Sequence, residues 1–320
     1  MASPGILPNT PSEIGKETLA LSVSMVSIAS LFVVLRFLAR RKSSVSWDDW
    51  ACLSSLLVAF GFLICTSLLV TIGKGGYHIA PYDKPTLQGH SQIYIALDIM
   101  AVASLCLTKV SIVLFYRRVF SINNTFNVAT WILNGILFAY FISTSCGLIF
   151  ASDPVEAEWK TWLPRTHINY KAFWISFSCI NICLDIVVLA LPQPLIWKLQ
   201  LPLRRKLQVS LIFLLGACVC FTSIYRLYVV ATLDMNDLTY SSMPVVVWNA
   251  VELSASIICA CLPMLPKLFR SLLHRKNPES DSTGINSLQN RTWYRKLGKK
   301  GPSSIEVRLV DRSTSQTSSL

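Results

Sequence analysis

The chain has 320 residues, of which 52% are hydrophobic and only 14% are charged, whereas soluble domains average about 25% charged residues. Its formal net charge is +12, but eleven of the 29 Lys and Arg residues follow Leu265, and most of the others flank long apolar runs. That distribution indicates a membrane topology and excludes a nucleic-acid partner, an ordinary soluble fold and a secreted disulfide-bonded domain.

Seven apolar runs are each long enough to cross a bilayer core of about 30 Å as a helix. In chain order they cover residues 18–37, 51–72, 91–116, 126–150, 172–197, 207–231 and 243–265. Backbone groups in lipid must form their hydrogen bonds within the segment, so runs of this length are helices. The sequence therefore predicts an all-α membrane protein, a seven-transmembrane helix bundle that covers residues 18–270.

The basic residues at the ends of these runs predict the orientation, because cytosolic flanks are rich in Lys and Arg. The side that holds Arg40, Arg117 and Arg204 carries most of them and is predicted to be cytosolic. Residues 1–17 are then a short extracytosolic N-terminus, and residues 271–320 are a disordered, basic, Ser-rich cytosolic tail. We expect a multi-pass protein of the plasma membrane or the endoplasmic reticulum.

Polar residues inside the predicted spans are costly, and such residues usually face the bundle interior. They are Asp98, Lys109, Asn181, Asp185, Arg226, Asn249 and Glu252. From their depth along the helices we expect Arg226 to pair with Glu252 or Asp98, and Lys109 to pair with Asp185. Three acids then face two bases, which leaves one carboxyl over.

Two interpretations of these residues stay open. The pairs either only fix the packing of the helices, or they line a polar cavity that binds a ligand or carries protons. In the second case a leftover carboxyl that stays protonated, Asp98 or Glu252, is a candidate general acid.

All ten cysteines lie inside apolar runs and no soluble catalytic motif is present, so we predict no metal site and no cofactor. Light-sensing rhodopsins attach retinal to a lysine in their seventh helix. Residues 243–265 contain no lysine, so we expect no retinal in this protein.

Several short motifs follow one another along the chain. They are Arg36 and Arg40 before Trp47-Asp48-Asp49-Trp50, Gly76 with His78, Leu107-Thr108-Lys109-Val110-Ser111-Ile112, Phe115-Tyr116-Arg117-Arg118, Pro154 with Trp159, Asn181 and Asp185 before Leu191-Pro192, Arg226, and Glu252 before Cys261-Leu262-Pro263. In this order and spacing the chain resembles the rhodopsin-like integral membrane protein family of filamentous fungi, from about residue 24 to residue 270. That family includes a membrane protein of the satratoxin gene cluster and relatives of fungal surface-sensing receptors.

The resemblance implies a role for an inner-loop motif, Asp48 and Asp49. A count of charges does not reveal this role, because the two acids lie at an otherwise basic border of the membrane. Two carboxylates there are placed to cap the second helix at its N-terminus. One position departs from the family pattern. Where the family usually has a cysteine after the fourth helix, this chain has Ser152, and the loop from 151 to 171 contains no cysteine. A bridge between loop cysteines is therefore not expected here.

Family resemblance implies a fold, whereas function depends on a site. We favour a multi-pass membrane protein that is receptor-like or accessory to a secondary-metabolite biosynthetic pathway. Its expected partners are the lipid bilayer, a lipophilic small molecule, and a cytosolic protein that contacts the basic loops and tail. The alternative is a membrane-embedded cyclase or isomerase that acts on a lipophilic metabolite by carboxyl acid–base chemistry. A transporter fits less well, because seven spans do not divide into two equal inverted halves.

Overall fold

The structure is a computed structural model that describes residues 12–40, 46–78, 83–119, 124–160, 166–167, 169–193, 203–233 and 237–264. The predicted cytosolic tail, residues 271–320, and most of the predicted extracytosolic N-terminus lie outside the described residues. Within the described residues, helix is the dominant secondary structure, as the long apolar runs predict.

Seven long helices make up most of the described chain. They are α1 (Glu13–Arg40), α2 (Trp47–Thr71), α3 (Lys84–Val119), α4 (Asn124–Ile149), α5 (Tyr170–Ala190), α6 (Leu203–Ala231) and α7 (Met243–Cys261). A single helical turn, Leu238–Ser241, precedes α7, and a short 3-10 turn, Leu262–Met264, follows it. Several of these helices extend beyond the predicted apolar runs, because polar residues at the ends continue the same helical geometry.

Six of these helices are long and apolar enough to cross a membrane, counted over the described residues. They are α1 to α5 and the segment that contains α7. In α6 the part whose side chains the structure describes, Gly216–Ala231, is a further apolar helical stretch. The structure thus supports a multi-pass helical membrane protein with at least six spans.

A small extended element that the sequence did not predict lies between α4 and α5. Strands β1 (Ser152–Asp153) and β2 (Thr166–His167) pair antiparallel, with Ser152 opposite His167. A 3-10 turn, Val155–Glu158, follows β1. Ser152, at the position where a cysteine was expected, donates from its hydroxyl to Glu158 over 2.6 Å. Hydrogen bonds therefore join β1 to the following turn without a cysteine.

The helices bury small and polar residues and expose large apolar ones, as expected of a bundle surrounded by lipid. Leu57, Ile64, Phe138 and Phe221 each expose more than half of their surface, whereas charged residues such as Glu252 are fully buried. α3 is central and packs against α2, α4, α5 and α7. The polar side chains in the middle of α3, such as Ser104, Thr108 and Lys109, are therefore buried in the interior of the bundle.

Two ends of the bundle serve as reference points. At the Arg40 end, the C-terminus of α1 lies beside the N-terminus of α2, and Arg118 at the end of α3 is 3.7 Å from Asp48. At the Gly76 end, the loop after α2 contacts the start of α1 and the segment before α7. There the Gly76 N–H donates to the Thr239 carbonyl over 3.1 Å, and Ser12 Oγ donates to the Gly75 carbonyl over 2.8 Å.

Candidate functional site

Glu252 on α7 is the centre of a buried polar network that joins α5, α6 and α7. Its Oε2 accepts from Arg226 Nη1 over 2.8 Å, which is one of the two pairings considered for this arginine. Its Oε1 accepts from Asn181 Nδ2 over 2.8 Å and from Ser223 Oγ over 2.6 Å. A fully buried carboxylate with three donors is an arrangement that keeps an ionised group stable in a low-dielectric interior.

The second ion pair joins α3 to α5, nearer to the Arg40 end. Lys109 Nζ lies 3.2 Å from Asp185 Oδ1, as expected from the sequence. The same ammonium group donates to Asn181 Oδ1 over 2.6 Å, and Ser223 Oγ lies 3.2 Å from Asp185 Oδ2. Asn181 and Ser223 therefore each contact both ion pairs, so that the four ionised residues form one connected network.

Asp98 on α3 is the remaining acid of the predicted set, and it lies apart from these two pairs. Its Oδ1 accepts from Asn249 Nδ2 over 3.3 Å, and no base within the described residues forms an ion pair with it. Asn249 Oδ1 is buried and has no hydrogen-bond partner in the part of the chain that the structure describes. Asp98 is thus the carboxyl that the count of three acids and two bases leaves over.

Two adjoining cavities open beside Asp98, towards the Gly76 end. One has a volume of about 40 Å³ and the other about 100 Å³. Both are lined by Tyr94, Asp98, Leu148, Phe173 and Trp174. The smaller cavity also reaches Arg226 and Asn249, so the space around Asp98 borders directly on the buried network. We refer to the two together as the Asp98 cavity.

Several aromatic side chains line the Asp98 cavity, together with aliphatic and polar ones. Tyr94 and Trp174 meet edge to face with ring centroids 6.2 Å apart, and Tyr170 contacts the same tryptophan at 6.2 Å. The rings of Phe173 and Phe177, which lie one turn apart on α5, have centroids 4.5 Å apart. Apolar and aromatic walls with a few convergent polar groups are typical of a small-molecule site.

A second charged cluster lies at the Arg40 end, where the sequence predicted two helix-capping carboxylates. Asp49 Oδ2 accepts from the Ser46 N–H over 3.1 Å, which helps to cap α2. Both acids also form ion pairs. Arg36 contacts Asp48 over 2.8 Å and Asp49 over 2.9 Å, and Arg40 contacts both carboxylates. Arg36 donates to the Ala260 carbonyl as well, so this cluster ties α1 and α2 to α7.

Sequence reasoning missed two kinds of residue in these sites. Arg36 and Arg40 were interpreted as signals of orientation, yet they are only 1% and 4% exposed and bind acids. Their spacing of four residues, which puts both on one helix face, was the available signal. Ser223 was also missed, although it precedes Arg226 by one turn on the same face of α6.

The described residues contain no group of three or more His, Cys, Asp or Glu side chains that could hold a metal ion. The buried acids contact Lys, Arg, Asn and Ser donors instead. In the parts of the chain that the structure describes, the Asp98 cavity is lined by the carboxyls of Asp98 and Glu158, the guanidinium of Arg226, the imidazole of His90 and several aromatic rings.

Comparison with known proteins gives one family match and several relatives. The profile of the fungal rhodopsin domain matches residues 34–271. A SAT4 family membrane protein of Emericella nidulans is 29% identical over 81% of this chain and 67% of its own length. Receptor GIN3 of Arthrobotrys oligospora is 26% identical over 83% of this chain and 66% of its own length. Satratoxin biosynthesis SC1 cluster protein 4 of Stachybotrys chartarum is 26% identical over 54% of this chain and 61% of its own length. No solved structure matches the chain.

Proposed function

Because the chain belongs to the fungal rhodopsin domain family, we propose that it is a seven-helix, receptor-like membrane protein that binds a lipophilic small molecule in the Asp98 cavity. Such a protein serves a secondary-metabolite pathway as a sensor or an accessory component. The observation that carries this proposal is the position of the cavity. It lies inside the bundle, has aromatic walls, and borders on a network of buried charges.

The proposed topology has seven spans, with α6 as the sixth. Lys and Arg are concentrated at the Arg40 end, which includes Arg117 and Arg118 at the end of α3. By the positive-inside rule the Arg40 end is cytosolic and the Gly76 end is extracytosolic. The Asp98 cavity then lies in the outer half of the bundle, where a molecule can enter from the outside or from the outer leaflet. The plasma membrane and the endoplasmic reticulum both fit this topology.

Connections between the cavity and the Arg40 end support a receptor-like role. A ligand beside Asp98 and Asn249 touches α3 and α7, and both helices continue to the cluster at the Arg40 end. There Ser111 Oγ on α3 donates to the Asp48 carbonyl over 2.6 Å, and Ala260 on α7 accepts from Arg36. A ligand that favours one arrangement of α3 and α7 therefore also changes the surface at the Arg40 end, because these contacts move with the two helices. The basic loops and the tail supply a surface for a cytosolic partner.

Relatives support two different settings for this function. One relative is named as a receptor, and another is named for a satratoxin biosynthesis cluster. These names are consistent with a receptor-like protein and with an accessory component of a biosynthetic cluster.

A second candidate function is a membrane-embedded cyclase or isomerase. Its support is the Asp98 carboxyl, which faces the cavity without an ion pair among the described residues and is placed to protonate a bound metabolite. The other two acids of the predicted set, Asp185 and Glu252, are each held by a base, so Asp98 is the member of that set that is available for the chemistry. Glu158 also lines the cavity, but its carboxylate already accepts hydrogen bonds from two hydroxyl groups, which favours binding over a two-group acid–base reaction.

Deletion of the gene with metabolite profiling separates the two functions. For a sensor, we expect the metabolite structures to stay the same while their amounts or the growth response change. For an isomerase or cyclase, an unrearranged precursor of the same mass as the product accumulates. That precursor, added to the purified protein, is then converted without any partner. Conversion by wild-type protein and loss of conversion in Asp98→Asn would replace the receptor-like proposal with the enzymatic one.

A further inference from the structure

The charge balance around the Asp98 cavity is incomplete. Arg226 is paired with Glu252 at 2.8 Å and Lys109 with Asp185 at 3.2 Å, so both bases of the bundle interior have an acid of their own. Asp98 is the third acid, and among the described residues it has only an amide donor. A carboxylate inside a membrane bundle is costly unless a positive charge or a proton neutralises it. Asp98 also interacts with Arg226 through space, but this guanidinium is already matched by Glu252, so the structure leaves one buried carboxyl without a cation of its own among the described residues.

Two acceptors lie next to each other on the same side of the cavity. Asn249 donates to Asp98 through Nδ2, so its Oδ1 is the other atom of the same amide group. Asn249 is only 3% exposed, and this Oδ1 has no partner among the described residues. A buried carbonyl oxygen without a donor destabilises the protein, because it has lost its hydrogen bonds to water without gaining others. The carboxylate and the amide oxygen together call for a group with several N–H donors.

Apart from Arg226, whose charge is matched by Glu252, the remaining walls suit a cation. Tyr94, Phe173 and Trp174 line both parts of the cavity together with Asp98. Aromatic faces attract ammonium groups through the ring quadrupole, most strongly where water is excluded. The same rings supply apolar surface for the rest of a ligand. A neutral or anionic head group satisfies neither the unmatched carboxylate nor the aromatic faces as well.

We propose that the ligand of the Asp98 cavity is a lipophilic molecule that carries a protonated amine, with the ammonium group held by Asp98 and Asn249 and the apolar body packed against Tyr94 and Trp174. This inference rests on the proposed function, since it names the chemical class of the molecule that the cavity binds. The amine supplies both the missing positive charge and the missing N–H donors.

A matched pair of probes tests the proposal on the purified full chain in detergent and lipid. The probes are 2-(1-naphthyl)ethylamine and 2-(1-naphthyl)ethanol, which share an aromatic body and differ in the head group. Dissociation constants are measured by ligand-induced shifts of thermal unfolding. We expect the amine to bind wild-type protein at least about tenfold more tightly than the alcohol. In Asp98→Asn this preference should fall to about one, while Glu156→Gln, which removes an exposed carboxylate outside the cavity, should keep it.

Each other outcome has a distinct meaning. Equal binding of the two probes by wild-type protein would overturn the amine assignment and leave the proposed ligand-binding function in place. If neither probe shifts the wild-type protein, both the amine assignment and the proposed cavity function fail. A preference that survives Asp98→Asn but disappears in Glu158→Gln, whose carboxylate lines the same cavity, would also overturn the assignment to Asp98. The wild-type comparison is decisive even if Asp98→Asn does not fold.

Discussion

Replacement of Glu252 by glutamine is the sharpest perturbation of the buried network. The substitution keeps the size of the side chain and removes its charge. Glu252 is fully buried and accepts from Arg226, Asn181 and Ser223, all on other helices. The glutamine side chain retains one acceptor oxygen, but its amide nitrogen is a donor that faces other donors. The guanidinium of Arg226, whose side chain is 14% exposed, loses its carboxylate.

The expected loss of stability follows from these contacts. Interhelical hydrogen bonds in membrane proteins contribute about 0.6 to 1.7 kcal/mol each, so three of them give about 2 to 5 kcal/mol. Removing one partner of a buried ion pair costs about 3 to 5 kcal/mol in soluble proteins, which agrees with that range. We therefore expect Glu252→Gln to lower the free energy of unfolding by about 3 kcal/mol or more.

Thermal unfolding of the purified protein in detergent, followed by a thiol-reactive dye, measures the effect. The matched control is Glu156→Gln, because Glu156 pairs with Lys160 over 2.7 Å but has 66% of its side chain exposed. We expect no measurable shift for that control. The double variant Arg226→Gln with Glu252→Gln should recover part of the loss, because no unpaired charge remains. Equal, small shifts for both single glutamate variants would refute the reasoning that burial makes the Glu252 contacts strong.

Three further substitutions have defined outcomes in the same unfolding assay. Asp98→Asn should raise the stability of the unliganded protein by about 1 kcal/mol, because it removes a buried carboxyl that has no base among the described residues. A decrease in stability would show that a nearby charge stabilises Asp98. Asp49→Asn should lower stability by about 3 kcal/mol or more, because it leaves Arg36 and Arg40 with one acid fewer. An unchanged midpoint of thermal unfolding would contradict a stabilising role for this charged cluster. Gly76→Ala should lower stability by about 1 to 3 kcal/mol, because Gly76 has a φ of 90° and a Cβ there would lie 2.3 Å from Ser12 Oγ. A Gly76→Ala protein as stable as wild type would show that this loop adapts freely.

The apolar runs predicted the existence of the helices well, because lipid forces every long apolar segment into a helix. They predicted the helix ends less well. α1 begins at Glu13 and α3 at Lys84, before the apolar runs start. A helix can continue into the polar interface because polar side chains there also adopt helical geometry. The pair of strands at Ser152 left no signal, because strands of two residues are too short to show an alternating pattern.

Depth along a helix was enough to match Lys109 with Asp185, because the rise per residue is fixed and few charges compete. It did not decide whether Arg226 pairs with Glu252 or Asp98, since both acids lie near the same level. The structure places Glu252 against this arginine. Rotation of one helix relative to its neighbours decides such a choice, and one sequence without contacts does not specify it. The role of these residues in binding or catalysis stays a prediction.

The cluster at the Arg40 end shows a limit of charge counting. The positive-inside rule treats Arg36 and Arg40 as markers of the cytosolic side, which carries no information about their partners. The acids Asp48 and Asp49 lie in the first turn of α2, close in sequence to the end of α1, and both arginines reach them. An acid pair close in sequence to an arginine pair is a signal that can be sought in related chains.

Access to the cavity from one side of the membrane tests the central claim most directly. Ser91 lines the larger part of the Asp98 cavity, whereas Ser256 lines a separate small cavity beside Lys109 and Asp185. Each serine is replaced by cysteine, and sealed vesicles with their extracytosolic face outward are treated with a membrane-impermeant thiol reagent. Wild-type protein gives the background from native cysteines. We predict that Ser91→Cys is labelled above background and Ser256→Cys is not. Labelling of Ser256→Cys alone would contradict both the orientation and the outer position of the cavity.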